Sequence, residues 1–113
     1  MSDVIALNVG GIMFQTRKTT LSSSSSFLSS LVQYEYSSDG IFVDRDPAHF
    51  RHILNHLRGA PTYPCTVEGL EELCIEADFY SLTEVKSRVE EQKRRLEKNT
   101  VVHHLGIIAS RLM

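Results

Sequence analysis

The chain has 113 residues, with 42% apolar and 23% charged residues, which are ordinary values for one globular domain. Its formal net charge of −2, from 12 basic and 14 acidic residues, gives no overall positive field for nucleic acid. No apolar run approaches the roughly 20 residues of a membrane-spanning helix. The two isolated cysteines, in a chain with no secretory leader, predict a cytoplasmic protein in a reducing compartment.

The N-terminal part of the chain alternates apolar and polar residues with a period of two. Two such runs, at residues 5–9 and 12–16, are separated by Gly10-Gly11. Because glycine adopts a positive φ at no steric cost, such a pair joins two strands in a tight turn. The pattern therefore predicts a β-hairpin.

Five consecutive serines, at 22–26, precede a short apolar segment at 27–31. The serines fit two interpretations, a cluster of phosphorylation sites or the start of a short helix. The helix is favoured, since Leu21 and the apolar residues after the run need a core to cover them. A loop is expected from Val32 to Gly40.

The segment from Ile41 to Gly59 is the most informative part of the sequence. A short β-rich run ends in Asp44-Arg45-Asp46-Pro47, and large apolar residues then follow at helical spacing. Asp46 suits an N-cap, Pro47 the first helical position, and Gly59 the left-handed turn after a helix. The segment predicts a strand followed by a helix from Pro47 to Arg58.

Two further helices are expected. Thr66 caps a helix that ends near Phe79-Tyr80, and Ser81 to Glu84 matches a capping box, so the last helix begins at about residue 82. Its apolar residues recur every three or four positions up to Leu96. This spacing fits a short coiled coil, or, as favoured here, a terminal helix that packs on the domain and extends past it. The apolar tail at 101–113 either folds back or pairs with another subunit.

Several motifs stand in a fixed order that is similar to one family. They are Leu7-Asn8-Val9-Gly10-Gly11, Phe14, Thr16, Thr20-Leu21, Phe42 to Pro47, Phe50, Ile53-Leu54, Leu57-Arg58, Glu76 to Tyr80 and Leu82. Together they resemble the potassium-channel-tetramerisation type of BTB/POZ domain, and within it the KCTD proteins. The resemblance covers residues 4–90, which we take as the domain, and leaves 91–113 as a C-terminal helix extension with an apolar tail. Three departures are the serines where the family usually has a proline, a shorter loop at 32–40, and Gly59 directly after Leu57-Arg58.

The resemblance implies an α/β domain of the α+β type, with a small mixed sheet flanked by helices and an extended C-terminal helix. It implies self-assembly into a ring of four or five subunits. Many KCTD proteins are adaptors for cullin-3 ubiquitin ligases, so this chain is expected to be an adaptor. The alternative is an oligomerisation scaffold, or a cytosolic assembly or regulatory partner of a potassium channel. No cofactor, nucleic acid or membrane insertion is expected.

Charged residues around the predicted strand-to-helix junction are the candidate oligomer interface. They are Asp44, Arg45, Asp46, Arg51 and Arg58. One interpretation is a local network of exposed ion pairs, each contributing about 0 to 1 kcal/mol. The other is a polar contact between neighbouring subunits, in which charge complementarity fixes the register. The sequence leaves both open.

Three histidines, His49, His52 and His56, lie on one side of the predicted helix. Zinc needs a closed ligand set, and the two cysteines are not adjacent, so we predict no metal site and expect a solvated or interfacial histidine face. If these histidines met across a subunit contact, protonation near about pH 6 would loosen the ring. No nucleophile elbow, phosphate-binding loop or CxxC pair is present, so the sequence predicts a binding module and not an enzyme.

Overall fold

The computed structural model describes residues 3–24, 26–33 and 40–112, with the side chains of 26 and 100–112 left undescribed. These residues form a small mixed sheet flanked by helices, which confirms the predicted fold class. The elements in chain order are β1 (Val4–Val9), β2 (Ile12–Arg17), α1 (Lys18–Ser22), α2 (Ser26–Leu31), β3 (Ile41–Val43), α3 (Phe50–Leu57), α4 (Val67–Phe79) and α5 (Thr83–Leu112).

The sheet has the strand order β2-β1-β3. Strands β1 and β2 form the predicted hairpin, antiparallel with Val9 opposite Ile12, and β3 runs parallel to β1. Both hairpin glycines have positive φ, and the amide of Gly10 donates to the carbonyl of Val43 at 3.0 Å. This bond joins the hairpin turn to the end of β3, so the turn also fixes the third strand.

The core lies between one face of the sheet and the helices. Alternate strand residues, Ile5, Leu7 and Val9, are fully buried, while their neighbours on β1 point to the opposite face. The remaining buried apolar residues come mainly from the helices: Leu21, Leu28, Val43, Phe50, Ile53, Leu54, Leu70, Leu73, Ala77, Tyr80, Leu82, Val85 and Val89. The α5 residues in this list confirm that the terminal helix packs on the domain.

The predicted start of α3 is wrong by three residues. The helix begins at Phe50, and its N-cap position is His49, which makes no side-chain cap bond. Asp46 instead accepts a hydrogen bond from the amide of Ala48 at 2.9 Å, and the amide of Phe50 donates to the carbonyl of Pro47 at 3.1 Å. Asp46 therefore closes a local turn, because its side chain reaches the amide two residues ahead before a helix can begin.

Both α3 and α4 end in a Schellman motif, in which a left-handed residue follows the helix. Gly59 has this role after α3, as predicted, with φ +83°. After α4 the left-handed residue is Ser81, with φ +59°, and the amide of Leu82 donates to the carbonyl of Ala77 at 2.9 Å. The predicted capping box is therefore wrong: an N-cap residue needs extended backbone, and Ser81 belongs to the end of α4.

The serine run lies across the end of α1 and the start of α2. The hydroxyls of Ser22, Ser23 and Ser24 donate to backbone carbonyls in the last turn of α1. These bonds compete with the backbone amides that would accompany a longer helix. Leu21 before the serines and Leu28 after them are both buried. This agrees with the prediction that a short helix buries the apolar residues around the run.

Helix α5 continues to Leu112 and so includes the backbone of residues 101–112 of the predicted apolar tail. Side-chain contacts of that tail lie outside the described residues. None of the described helices has an apolar stretch of the length that a membrane-spanning helix requires.

Two glycines with the same φ of +83° allow a matched test of packing at the start of β3. A Cβ atom on Gly40 would lie 2.9 Å from the carbonyl oxygen of Ala6, whereas one on Gly59 would meet no atom within 4 Å. Both alanine substitutions place a Cβ atom on left-handed backbone at a similar cost. The difference between their effects on the free energy of unfolding therefore reports the clash of the Gly40 substitution with Ala6. We expect Gly40→Ala to lower the free energy of unfolding by about 1 to 3 kcal/mol more than Gly59→Ala. Equal losses in urea-induced unfolding would contradict the assigned contact.

Candidate interaction surfaces

Arg45 joins the end of β3 to helix α4. Its guanidinium donates to both carboxylate oxygens of Glu76, with Nε to Oε1 at 3.2 Å and Nη2 to Oε2 at 2.5 Å. Its Cζ atom also lies 4.1 Å from the centre of the Phe79 ring. The hydrogen bonds with Glu76 raise the pKa of Arg45 above its ordinary value. A bidentate pair of this kind holds a fixed geometry, and here it is made within one chain.

The other candidate interface residues have different environments. Asp46 accepts the Ala48 amide, and Arg58 donates from Nη2 to the carbonyl of Gln15 at 2.8 Å, so it covers part of the edge of β2. Asp44 and Arg51 are exposed. The five residues therefore do not form one cluster: Arg45 and Arg58 brace the fold, and Asp44 and Arg51 lie on the surface.

The sheet presents a second face away from the core, which we call the outer sheet face. It consists of Val4, Ala6, Asn8, Met13, Gln15, Arg17 and Phe42. Phe42 is 63% exposed and Met13 48% exposed, which are high values for large apolar side chains. In the register, Asn8 lies opposite both of them, so Phe42 and Met13 flank it on the same face. The outer sheet face is thus an apolar surface with Arg17 at one end.

Helix α4 carries a second exposed apolar surface, which we call the α4 face. Its apolar members are Ile75, 62% exposed, and Phe79, 40% exposed. The helix has five acidic residues and no basic one. Beside Ile75 lies a groove of about 220 Å³, lined by Asp46, Ala48, His49, Glu72, Ile75 and Glu76. The α4 face is therefore an apolar surface on a helix whose own charged side chains are all acidic.

The predicted histidine face is wrong for one of its three members, because His56 is buried with only 5% of its surface exposed. His49 Nε2 lies 3.1 Å from a carboxylate oxygen of Glu72, and His52 Nδ1 lies 2.7 Å from the hydroxyl of Thr62. Each histidine thus has its own neighbours within the subunit. Among residues 3–24, 26–33 and 40–99, no group of three His, Cys, Asp or Glu could hold a metal ion.

The two cysteines are both free and differ in environment. Cys65 is exposed, and Cys74 lies partly covered on α4. Burial raises the pKa of the Cys74 thiol, and Glu90 raises it further. The Cys74 thiol therefore holds its proton more firmly than a free thiol does.

The exposed apolar residues were not among the candidate residues taken from the sequence. Phe42 and Phe79 fall within the family motifs, but the motifs do not state which side chains face outward. The strand alternation did place Met13 opposite the buried residues of β2, and this was the one available signal. Glu76 was missed as the partner of Arg45 because the two are 31 positions apart.

Comparison with known proteins agrees with this architecture. The BTB/POZ domain family matches residues 5–89. The chain belongs to the BTB/POZ domain family, in the potassium-channel-tetramerisation type that includes the KCTD proteins. This family is a protein-interaction and oligomerisation module.

Three relatives illustrate the range of similarity. The BTB/POZ domain-containing protein KCTD21 of Homo sapiens is 34% identical over 105 residues, covering 87% of this chain and 40% of its own length. KCTD5 of Mus musculus is 32% identical over 115 residues, with 91% and 49% covered. The SH3KBP1-binding protein 1 of Bos taurus is 43% identical over 94 residues, with 78% and 13% covered. The chain therefore spans between about an eighth and a half of these relatives.

The Arg45–Glu76 pair can be tested against an exposed pair of the same fold. Glu76 is only 13% exposed, so Arg45→Met leaves a largely covered carboxylate without its partner and is expected to cost about 1 to 3 kcal/mol. The matched control is Lys86→Met, which removes the exposed pair with Asp78 and should cost less than about 1 kcal/mol. The loss of unfolding free energy in each variant is measured by urea-induced unfolding at the same protein concentration. Equal costs would show that the Arg45 pair is only a surface contact.

Proposed function

We propose that residues 4–90 form a self-assembling interaction domain that builds a ring of four or five subunits, with 91–113 as an extension. The observation that carries this proposal is the outer sheet face, where Phe42 and Met13 are both exposed on the two sides of Asn8. Exposed apolar surface of this kind on a soluble domain is typical of a contact with another protein. The family, an oligomerisation module, supports a second copy of the chain as that partner.

The chemistry of the two exposed faces favours a head-to-tail contact, in which the outer sheet face of one subunit lies on the α4 face of the next. Arg17 lies on the outer sheet face, and Arg58 is close to it, since both line the same groove with Val4. Helix α4 has five acidic residues and no basic one. Unlike surfaces that meet in this way generate a closed ring when the rotation between subunits is right. Asp44 and Arg51, both exposed, are then available for polar contacts at the rim, where charges fix the register.

Two charge insertions test this arrangement. Phe42→Glu disables the outer sheet face, and Ile75→Glu disables the α4 face, so each variant alone should lose the ring and have the subunit mass of 12.8 kDa. A mixture of the two retains one intact face of each kind. We expect the mixture to form a heterodimer of twice the subunit mass, measured by light scattering or analytical ultracentrifugation.

The matched control is Ile12→Glu, which changes another exposed apolar residue, 53% exposed, on the opposite side of β2. It should leave the mass of the ring unchanged. If Ile75→Glu alone still forms a dimer, the contact joins two sheet faces instead. If the unmodified chain is a monomer at micromolar concentration, self-assembly is overturned.

On the same ring, we propose an adaptor role for a cullin-3 ubiquitin ligase in the cytoplasm, without enzymatic activity. The support for this finer role is the resemblance to KCTD proteins. The alternative is a scaffold, or a regulatory partner of a potassium channel. Helix α5 presents an exposed charged surface, including the Glu84–Arg88 pair, and we propose this surface as a contact for a substrate.

Mixing the ring with the N-terminal domain of cullin-3 separates these roles. A complex that elutes together, with a mass equal to the ring plus bound cullin, is the expected result. Phe42→Glu, which breaks the ring, serves as the comparison for whether binding needs the assembled form. A ring that gives no complex with cullin-3 would overturn the adaptor role and leave the scaffold or channel-partner role.

A further inference from the structure

The histidines at the N-cap of α3 and within it contact two parts of the subunit, helix α4 and the connection that follows α3. His49 lies against Glu72 of α4, and His52 lies against Thr62 in the connection between α3 and α4. The His56 ring meets the ring of Tyr63 edge to face, with their centres 5.0 Å apart. We call residues 60–66 the connecting segment. Two of the three histidines therefore hold this segment against α3.

His56 is the member of this row with no polar partner. Neither ring nitrogen makes a hydrogen bond within the described part of the chain, and the ring is 95% covered. The charged group that acts on it most strongly is Arg88 of α5, and His52 lies one turn earlier on α3. The carboxylate of Glu84 is bonded to Arg88 at 2.6 Å, so it is already engaged. An imidazolium here would be buried beside a positive charge.

The connecting segment is fastened to α3 mainly by side chains. The hydroxyl of Thr62 accepts a hydrogen bond from Asn55 at 2.9 Å and contacts His52, and Tyr63 covers His56. Beyond Tyr63, a groove of about 310 Å³ opens along α5, lined by Tyr63, Glu84, Ser87, Arg88, Glu91, Gln92 and Arg95. This groove gives the Tyr63 ring room to move without disturbing the sheet.

We propose that the connecting segment is an acid-sensitive latch, which neutral His56 keeps closed over α3 and which opens when His56 takes up a proton. Opening moves the Tyr63 side chain away from the imidazole of His56 and admits water to the protonated imidazole. Once His56 is protonated, the open state is preferred. Burying the charged imidazole beside Arg88 without a hydrogen-bond acceptor costs more free energy than losing the contact with Tyr63. The latch is a property of one subunit and does not depend on the proposed ring.

The direction of the pH effect follows from the environment of His56. Burial lowers its pKa below the ordinary value of 6.5, Arg88 lowers it further, and the backbone of Thr62 opposes the shift without reaching hydrogen-bond geometry. Burial likewise lowers the pKa of His52, and His49 adds to the effect. Above pH 6.5 the closed state keeps its full stability. As the pH falls below that value, His56 binds a proton more readily in the unfolded and open states than in the closed state. Acid therefore lowers the stability of the closed state.

Nuclear magnetic resonance of the full chain provides the test, through the imidazole protons of His56 and the ring protons of Tyr63. Between pH 7.5 and 5, we expect the Tyr63 signals to move to open-state positions with the same midpoint as His56, below pH 6.5. The thermal unfolding midpoint should fall by several degrees over the same range. His56→Phe keeps a ring under Tyr63 but cannot titrate, so its Tyr63 signals should stay constant.

If His56→Phe folds poorly, two further variants still test whether protonation of His56 opens the latch. Arg88→Gln removes the adjacent positive charge and should move the His56 midpoint upward, towards that of an exposed histidine. His49→Gln changes a histidine that lies against Glu72 of α4 and not against the connecting segment, so it should leave the response of Tyr63 unchanged. The latch is overturned if the Tyr63 signals do not change with pH, or if His56→Phe shows the same response as the unmodified chain.

Discussion

The fold depends on the burial of Tyr80 at the end of α4. Its ring is 1% exposed and contacts Phe50 of α3, Phe27 of α2 and Phe79 of its own helix, with ring centres 5.0 to 5.8 Å apart. Phe50 in turn contacts Phe14 of β2. This one cluster therefore connects the sheet with three helices. Burial also raises the pKa of the Tyr80 hydroxyl, so the ring remains uncharged at any physiological pH.

Arg45 extends this cluster to the surface, because its guanidinium lies over Phe79 while its charge is satisfied by Glu76. The residue thereby links the end of β3 to the acidic helix that carries the α4 face. A charged residue with no neighbouring partner in the sequence is thus part of the framework of the fold. The same residues position both the core and the surface proposed for assembly, so a subunit with a disturbed cluster would also present a disturbed contact face.

The sequence predicted elements whose signals are local. The hairpin and the left-handed end of α3 depend on adjacent residues, and both were confirmed. Capping was less predictable, because the same short polar side chain can close a turn, cap a helix start or follow a helix end. Asp46 and Ser81 each took a different one of these roles from the one expected. The partner of Arg45 and the burial of His56 depend on packing between distant segments, which no local pattern encodes.

The unequal environments of the two thiols have a practical consequence. Cys65 is exposed, while Cys74 is partly covered and burial raises the pKa of its thiol, so we expect Cys74 to react more slowly. A maleimide dye at neutral pH should therefore attach to one position per subunit without any engineered cysteine. Counting the photobleaching steps of single labelled particles would then report the number of subunits in an assembly directly, at concentrations far below those that scattering requires.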